Sequence, residues 1–401
     1  MFNQEMIQLG TQRSVIREIF EFGNQRAAQV GRDNVFDFSI GNPNVPAPPA
    51  IKAAIEDIIE RESPVAYHSY TSSAGSQSAR EAIAKNLNTR YGTDYEADDL
   101  YLTCGAAASL NITLQSLIRS EEDEILTVAP FFPEYRFFVT ARGGRFVVVP
   151  ADLESFQIDF EGLRQALTPH TKALIINSPN NPSGVVYSKQ TYEQLAEILR
   201  EKAQEYGHPI YLISDEPYRE LVYGGETAHF VPNFYENTIV NYSWSKSLSL
   251  PGERIGYILI PKKLQGAKDL MAAVFGSARI LGFVCAPSLF QQVIERCVDV
   301  QPDLRIYEAN RNLLWNRLRQ MGYRMAKPDG AFYAFIESPS GSGEEFCERA
   351  KKYDLLLVPG TGFGVPSHMR LSYCVKTETI EKCLPLFEKL MAEYRAEGIV
   401  E

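Results

Sequence analysis

Short runs of nearly continuous apolar residues alternate with helical segments between residues 100 and 215, and this pattern constrains the fold more than any other feature of the chain. The predicted strands cover residues 100–103, 124–129, 146–149, 173–176 and 209–214, and the predicted helices cover 109–118, 135–141, 160–167 and 189–206. Strands without polar alternation are buried on both faces, which is typical of a mostly parallel sheet sandwiched by helices. The sequence therefore predicts an α/β fold whose functional residues gather at the carboxyl ends of the strands.

The N-terminal part of the chain is less regular. We expect a loose arm up to Gly10, a helix over residues 14–30 with Ser14 as a possible N-cap, and a strand over residues 35–40 that runs into a proline-rich loop. Two helices around a loop at 67–75 are predicted before the first strand of the α/β region.

The pattern changes again at about residue 283. Helical periodicity dominates to Gly322, and short strands follow at 330–335, 355–358 and 369–373, with a closing helix over 377–396. We expect a second, smaller α+β domain, with which the N-terminal arm and helix pack. The predicted boundaries are 42–282 for the large domain, and 1–41 with 283–401 for a discontinuous small domain.

Composition excludes several classes of protein. The chain has 401 residues, of which 45% are hydrophobic and 22% charged, with a net charge of −10. No basic run suggests a nucleic-acid partner, and no segment has the pattern of a signal peptide or a membrane span. The six cysteines are scattered without a Cys-x-x-Cys pair, as is typical of thiols in a cytosolic protein. We therefore expect a cytoplasmic protein with no metal site and no nucleic-acid or membrane partner.

Lys246 is the most informative single residue. It lies among serines just after a strand predicted at 238–242, and Arg254 follows eight positions on, at the start of a strand predicted at 254–261. A lysine at a strand end, flanked by hydroxyls and an arginine, can serve as a Schiff-base lysine beside a bound phosphate. The ordinary alternative is a solvated loop lysine, which describes most lysines.

Two further segments follow predicted strands. Gly105, Ala106 and Ala107 open a helix, so their free backbone amides and the helix dipole suit a phosphate group, although close packing of helix on sheet explains the same small residues. Phe132 follows the next strand, where an aromatic residue is usually part of the core but can stack on a heteroaromatic ring.

Polar residues at the next strand ends are harder to explain by packing. Asn181 lies in a run of asparagines, prolines and glycine at 177–184 that is denser than a bare turn requires. Asp215 ends a buried strand, where a carboxylate needs either a partner or a role as a helix N-cap. Arg370 is flanked by Met369 and Leu371, and a buried arginine there needs an anion, supplied by the chain or by a ligand.

The stretch from Ser243 to Tyr257 resembles the lysine signature of the class I/II aminotransferases, the fold-type I pyridoxal-phosphate enzymes. That signature reads Ser-x-Ser-Lys, then Gly-x-Arg-x-Gly-Tyr after several residues, and each of its fixed positions is matched. The other segments resemble the remaining motifs of the family in the right order, so the resemblance covers nearly the whole chain, from Gly41 to Arg370.

The resemblance implies a role for each candidate residue. Lys246 is implied to bond covalently to pyridoxal 5′-phosphate and to act as the catalytic base. The phosphate is implied to be held by Gly105, Ala106, Ala107, Ser243, Ser245 and Arg254, and by Tyr70 of a neighbouring subunit. The ring is implied to contact Phe132, Asp215, Asn181 and Tyr218, and the substrate carboxylate to contact Gly41, Asn181 and Arg370. Ala106 and Ala107 depart from the polar residues of many relatives, which removes one possible side-chain contact and keeps the amides.

The activity implied is transfer of an amino group between an L-amino acid and a 2-oxo acid, by a ping-pong mechanism through pyridoxamine phosphate in a homodimer. A β-lyase or cyclopropane-carboxylate-type synthase shares almost all these residues and remains the alternative. A transcription regulator is a poorer match, because no DNA-binding domain precedes this part of the chain. Arg279 is a candidate for a substrate side-chain carboxylate, with a surface arginine as the ordinary interpretation.

Overall fold

The computed structural model describes residues 2–11 and 15–400. Its strands are β1 Phe36–Asp37, β2 Leu100–Thr103, β3 Glu124–Val128, β4 Arg145–Val149, β5 Thr171–Asn177, β6 Tyr211–Asp215, β7 Thr238–Ser243, β8 Gly256–Leu259, β9 Tyr333–Glu337, β10 Leu355–Leu356, β11 Val358–Pro359 and β12 His368–Ser372. Its helices are α1 Gln4–Thr11, α2 Val15–Val30, α3 Pro49–Arg61, α4 Pro64–His68, α5 Gln77–Tyr91, α6 Ala106–Leu117, α7 Glu134–Thr140, α8 Phe160–Ala166, α9 Lys189–Tyr206, α10 Ala267–Leu281, α11 Ser288–Cys297, α12 Arg305–Met321, α13 Gly343–Lys351 and α14 Thr377–Ala396.

A seven-stranded sheet forms the centre of the molecule, in the order β2-β8-β7-β6-β5-β3-β4. The strands β3, β4, β5, β6 and β7 are parallel to one another, and β8 runs antiparallel to both of its neighbours, β2 and β7. Apolar side chains pack on both faces of this sheet, which confirms the predicted α/β fold. The parallel arrangement brings the carboxyl ends of β5, β6 and β7 to one edge.

A second, smaller sheet has the order β11-β12-β9 and carries its own apolar core with α12 and α14. β1 pairs in parallel with β10, with Phe36 opposite Leu355, and Arg26 of α2 forms an ion pair with Asp354 at 2.6 Å. The N-terminal segment and the C-terminal part are therefore in contact, and their grouping into one domain stays a prediction. The boundaries at 42 and 283 stay a prediction.

Several local predictions differ from the structure. The predicted loose arm contains α1, and the proposed cap Ser14 lies outside the described residues. The predicted strand at 35–40 is reduced to β1, because the Asp37 carboxylate accepts hydrogen bonds from the Ser39 amide and hydroxyl and turns the chain.

The region predicted as two helices before β2 contains three. Ser63 accepts a hydrogen bond from the Ala66 amide and Pro64 occupies the first helical position, so a short helix α4 begins there. The predicted strand at 355–358 is divided into β10 and β11, which pair with different partners. In the described part of the chain, no helix is both long and apolar enough to cross a bilayer.

Candidate active site

A cavity of about 570 Å³ opens at the carboxyl ends of β5, β6 and β7. Twelve of the residues predicted from the sequence line it: Gly41, Ala106, Ala107, Phe132, Asn181, Asp215, Tyr218, Ser243, Ser245, Lys246, Arg254 and Arg370. The parallel strand ends and the loops that follow them supply most of this set, and β12 and the segment after β1 supply the rest. The tertiary structure therefore brings together residues that span more than 300 positions of the chain.

Lys246 lies in the loop between β7 and the antiparallel strand β8. Its Nζ donates a hydrogen bond to the Gly41 carbonyl oxygen at 2.7 Å. Burial lowers the pKa of the Lys246 amine to about 8, and the positive charges of Arg370 and Arg254 act in the same direction. A sizeable fraction of this amine is therefore neutral near physiological pH, as a nucleophile or a general base must be.

Asp215 ends β6 and is buried. Its Oδ2 accepts a hydrogen bond from the Tyr135 hydroxyl at 2.5 Å, whereas its Oδ1 has no hydrogen-bond partner among the described residues. Burial raises the pKa of the Asp215 carboxyl to about 7. The N-cap alternative fails because residues 217–220 form turns rather than a helix. An unpartnered carboxylate oxygen in this position suits a cationic N–H donor from a ligand.

The asparagine-rich loop after β5 connects Asp215 to Arg370. The Asn177 amide donates to the Asp215 carbonyl at 2.8 Å, and its side-chain oxygen accepts from the Asn181 amide at 2.8 Å. The Asn181 side-chain oxygen in turn accepts from Arg370 Nη1 at 3.0 Å. The density of asparagine in this loop is thus explained by side chains that fix the site.

Arg370 lies on β12 and is only 2% exposed. Its Nη2 donates to the Ser39 carbonyl at 2.5 Å, and its guanidinium lies 4.8 Å from the centre of the Tyr333 ring and 5.0 Å from that of Phe363. Among the described residues it forms no ion pair, and its Nε has no hydrogen-bond partner. The intrachain salt bridge is therefore excluded within that part of the chain, and a buried guanidinium beside the cavity suits a ligand carboxylate.

The opposite part of the cavity has the features of an anion site. Gly105 precedes α6 with a φ of +85°, and a Cβ there would lie 2.8 Å from Arg254 Nη2, so only glycine allows this approach. Ala106 and Ala107 begin the helix, and Ser243 and Ser245 line the same cavity. Backbone amides at a helix start, two hydroxyls and a guanidinium together match the requirements of a phosphate group.

Two candidates lie elsewhere. Tyr70 is 88% exposed and does not line the cavity, and its predicted contact with a neighbouring subunit stays a prediction. Arg279 is exposed in the last turn of α10 and does not line the cavity either. Within the single chain, neither residue takes part in this site.

Sequence reasoning missed several residues of the site. The cavity is also lined by Tyr333, Ile16 and Phe20, and the Tyr135 hydroxyl donates a hydrogen bond to Asp215. Their local patterns are those of ordinary core residues on strands and helices, so no sequence signal singled them out. Asn177 was within the recognised loop but had no assigned role.

The fold and the site define an α/β protein whose cavity contains a lysine with a lowered pKa. The same cavity contains a buried arginine suited to a carboxylate, and an anion cradle formed by the start of α6, Ser243, Ser245 and Arg254. The model of the family described as aminotransferase class I and II matches residues 33–385. The chain is 31% identical to a probable aspartate aminotransferase of Methanocaldococcus jannaschii, over 94% of this chain and 96% of the relative. It is also 31% identical to the aspartate/prephenate aminotransferase of Thermus thermophilus, over 92% and 94%.

Solved structures give the same result. An amino transferase from Eubacterium rectale superposes with a TM-score of 0.97 at 51% identity, covering 98% of this chain and 99% of that one. The aspartate aminotransferase of Thermus thermophilus with maleate superposes with a TM-score of 0.84 at 26% identity, covering 97% and 99%. The chain therefore belongs to the class I and II aminotransferases, and the family predicted from the sequence is confirmed.

Proposed function

We propose that this aminotransferase binds pyridoxal 5′-phosphate covalently at Lys246 and moves an amino group between an L-amino acid and a 2-oxo acid by a ping-pong mechanism. The observation that carries the proposal is that the Oδ1 of buried Asp215 has no hydrogen-bond partner among the described residues, and that Asp215 lines the same cavity as a lysine whose pKa is lowered to about 8. Few ligands require that their binding site supply both a buried carboxylate and a neutral amine.

The residues present fit this cofactor. Asp215 would hold the ring nitrogen in its protonated form, the start of α6 with Ser243, Ser245 and Arg254 would hold the phosphate, and Phe132 would face the ring. Asn181 and Tyr218 would donate to the phenolic oxygen. When bound, the cofactor supplies a sink for the electrons that remain on the substrate Cα after a proton leaves.

The protein's own groups bind the substrate and move the proton. Arg370, Asn181 and Gly41 line the part of the cavity that would receive the α-carboxylate. A substrate whose α-carboxylate is bound there has its Cα proton near Lys246. The neutral amine of Lys246 then takes this proton as a general base. Burial excludes water, which strengthens the pairing of Arg370 with a carboxylate.

The substrates to test first follow from the relatives. The relatives described above are named for aspartate and prephenate, and a further relative, from Thermococcus litoralis and 29% identical, is named for aromatic amino acids. The reported relatives bear aminotransferase names, and nothing in the site favours the lyase alternative. We include both acidic and aromatic amino acids in the proposed substrate panel.

We also propose that the enzyme is a cytoplasmic homodimer in which Tyr70 of one subunit reaches the phosphate of the other. The exposure of Tyr70 and of apolar residues such as Val65, Ile280 and Val284 supports a contact surface. All six cysteines are free thiols, which suits a reducing compartment.

A visible absorbance spectrum of the purified enzyme, loaded with pyridoxal phosphate, tests the proposed activity. We expect a band that an amino acid removes and a 2-oxo acid restores. Lys246→Ala should lack the covalent attachment and lose at least about a hundredfold in activity, whereas exposed Lys52→Ala should behave as the native enzyme. Release of pyruvate and ammonia without the reversible spectral change would favour the lyase, and absence of any band would refute the role of Lys246.

A further inference from the structure

Tyr333, the first residue of β9, contacts three groups of the site at once. Its hydroxyl lies 2.9 Å from the Tyr218 hydroxyl, its ring lies 4.8 Å from the Arg370 guanidinium, and its hydroxyl faces Gly41. The side chain is buried and lines the cavity. It therefore joins the residue proposed to bind the phenolic oxygen to the residue proposed to bind the substrate.

The position of the Tyr333 hydroxyl is narrowly determined. A Cβ at residue 41 would lie 1.9 Å from Tyr333 Oη, so glycine at this position is a requirement of the close approach. The Gly41 carbonyl oxygen also accepts the hydrogen bond from Lys246. Tyr218, Tyr333, Gly41 and Lys246 thus form one continuous line of contacts along the cavity wall.

In a pair of hydroxyl groups, one donates to the other, and the accepting hydroxyl keeps its own proton for a different acceptor. We propose that Tyr333 is a positioning residue whose hydroxyl donates to Tyr218 and thereby directs the Tyr218 proton toward the phenolic oxygen of the cofactor. This inference rests on the proposed function, since it requires the cofactor in the cavity.

The number of protons favours this direction of donation. The Tyr218 hydroxyl carries a single proton, so once that proton is donated to the phenolic oxygen, the 2.9 Å contact requires Tyr333 to be the donor. Burial raises the pKa of both tyrosines, although the positive charge of Arg370 opposes the rise at both, so each hydroxyl keeps its proton near neutral pH. A hydroxyl that accepts a hydrogen bond also becomes a better donor itself, because consecutive hydrogen bonds polarise one another.

The spectrum of the loaded enzyme as a function of pH tests the proposal directly. A weaker hydrogen bond to the phenolic oxygen leaves its negative charge less stabilised, so the conjugated Lys246 nitrogen keeps its proton to higher pH. Tyr333→Phe retains the ring over Arg370 and should raise the midpoint of the spectral titration by about half a unit. Tyr218→Phe should raise it by about one unit or more.

The double variant distinguishes positioning from a general structural effect. If Tyr333 acts through Tyr218, then Tyr333→Phe adds no further shift in the Tyr218→Phe background. Tyr223→Phe is the matched control, because Tyr223 is a buried tyrosine of the same apolar cluster that does not line the cavity, and it should leave the midpoint unchanged.

An unchanged midpoint in Tyr333→Phe, or an equal shift with and without the Tyr218 hydroxyl, would overturn the inference. A native enzyme that shows no titrating band at all would instead refute the proposed cofactor. The two failures are therefore separable in one set of spectra.

Discussion

Two charged residues of the site are buried and a third is half-buried, and part of the bonding capacity of each is unmet. Among the described residues, one oxygen of the Asp215 carboxylate has no donor, the Arg370 guanidinium has no anion, and the Lys246 amine donates to a carbonyl oxygen rather than to an anion. Burying such groups costs free energy that the protein alone does not recover. At the residue scale, the site is thus organised for a ligand that carries a cationic nitrogen and a carboxylate.

The pKa of Lys246 makes a prediction about the apoenzyme. Covalent attachment requires the neutral amine, and below the pKa the neutral fraction falls about tenfold per pH unit. With the pKa near 8, the rate at which pyridoxal phosphate attaches to the apoenzyme should rise steeply up to about pH 8 and then level off. Stopped-flow absorbance between pH 6.5 and about pH 10.5 measures this rate. A rate that continued to rise to pH 10 would show that the amine is an ordinary solvated lysine.

At the scale of elements, the antiparallel pair β7 and β8 sets the distance between the lysine loop and the anion cradle. β8 begins at Gly256, which packs directly against the turn before α6. A Cβ on residue 256 would lie 2.3 Å from the Tyr242 carbonyl oxygen and 3.1 Å from the Gly105 Cα. Both neighbours are backbone atoms, so neither can move aside without disturbing the sheet.

Gly256→Ala should therefore destabilise the protein by about 2–4 kcal/mol. Gly276→Ala provides the matched comparison, because the residue is inside α10 and, apart from its chain neighbours and the backbone of its own helix, no atom of the described residues lies within 4 Å of the added Cβ. That substitution should stabilise the protein by about 0.5–1 kcal/mol, since alanine favours the helix. Urea unfolding of both apoproteins measures the difference. Equal effects of the two substitutions would contradict the close packing of β8 on the cradle.

At the scale of the whole molecule, the site of one chain includes every implied residue except Gly105, which adjoins it, and Tyr70. Tyr70 is exposed on the loop after α4 and lies away from the cavity of its own chain. A homodimer that exchanges this residue between subunits would complete both sites. The exposed apolar side chains near the end of α10 offer a surface for such an association.

Mixed dimers test this exchange. We expect Lys246→Ala and Tyr70→Ala chains each to have little activity alone, and to recover activity when they are unfolded and refolded together. In a mixed dimer, one site then combines native Lys246 with native Tyr70, whereas the other site lacks both. The control is a mixture of the two variants that is not unfolded and refolded, which should keep the activity of the separate variants. If Tyr70 acts within its own chain, no site in the mixture is complete and activity stays at the level of the separate variants.

The sequence by itself determined the fold class, the family and most of the residues around the cavity. Lys246, Asp215 and Asn181 could be found because each lies at or just after the end of a buried strand, and parallel strands must bring these ends to one edge. The elements of the central sheet were predicted within a few residues because short runs of β-branched and other apolar residues, separated by amphipathic segments, are typical of a parallel sheet.

Only the tertiary structure decided which distant groups touch. Tyr333 meets Tyr218 across 115 positions of sequence, and Tyr135 meets Asp215 across 80. Hydrophobic periodicity reports which face of an element is buried, but carries no information about the partner that covers it. The same limit applies to the shifted pKa values of Lys246 and Asp215, because desolvation arises from the packing of the whole chain around each group.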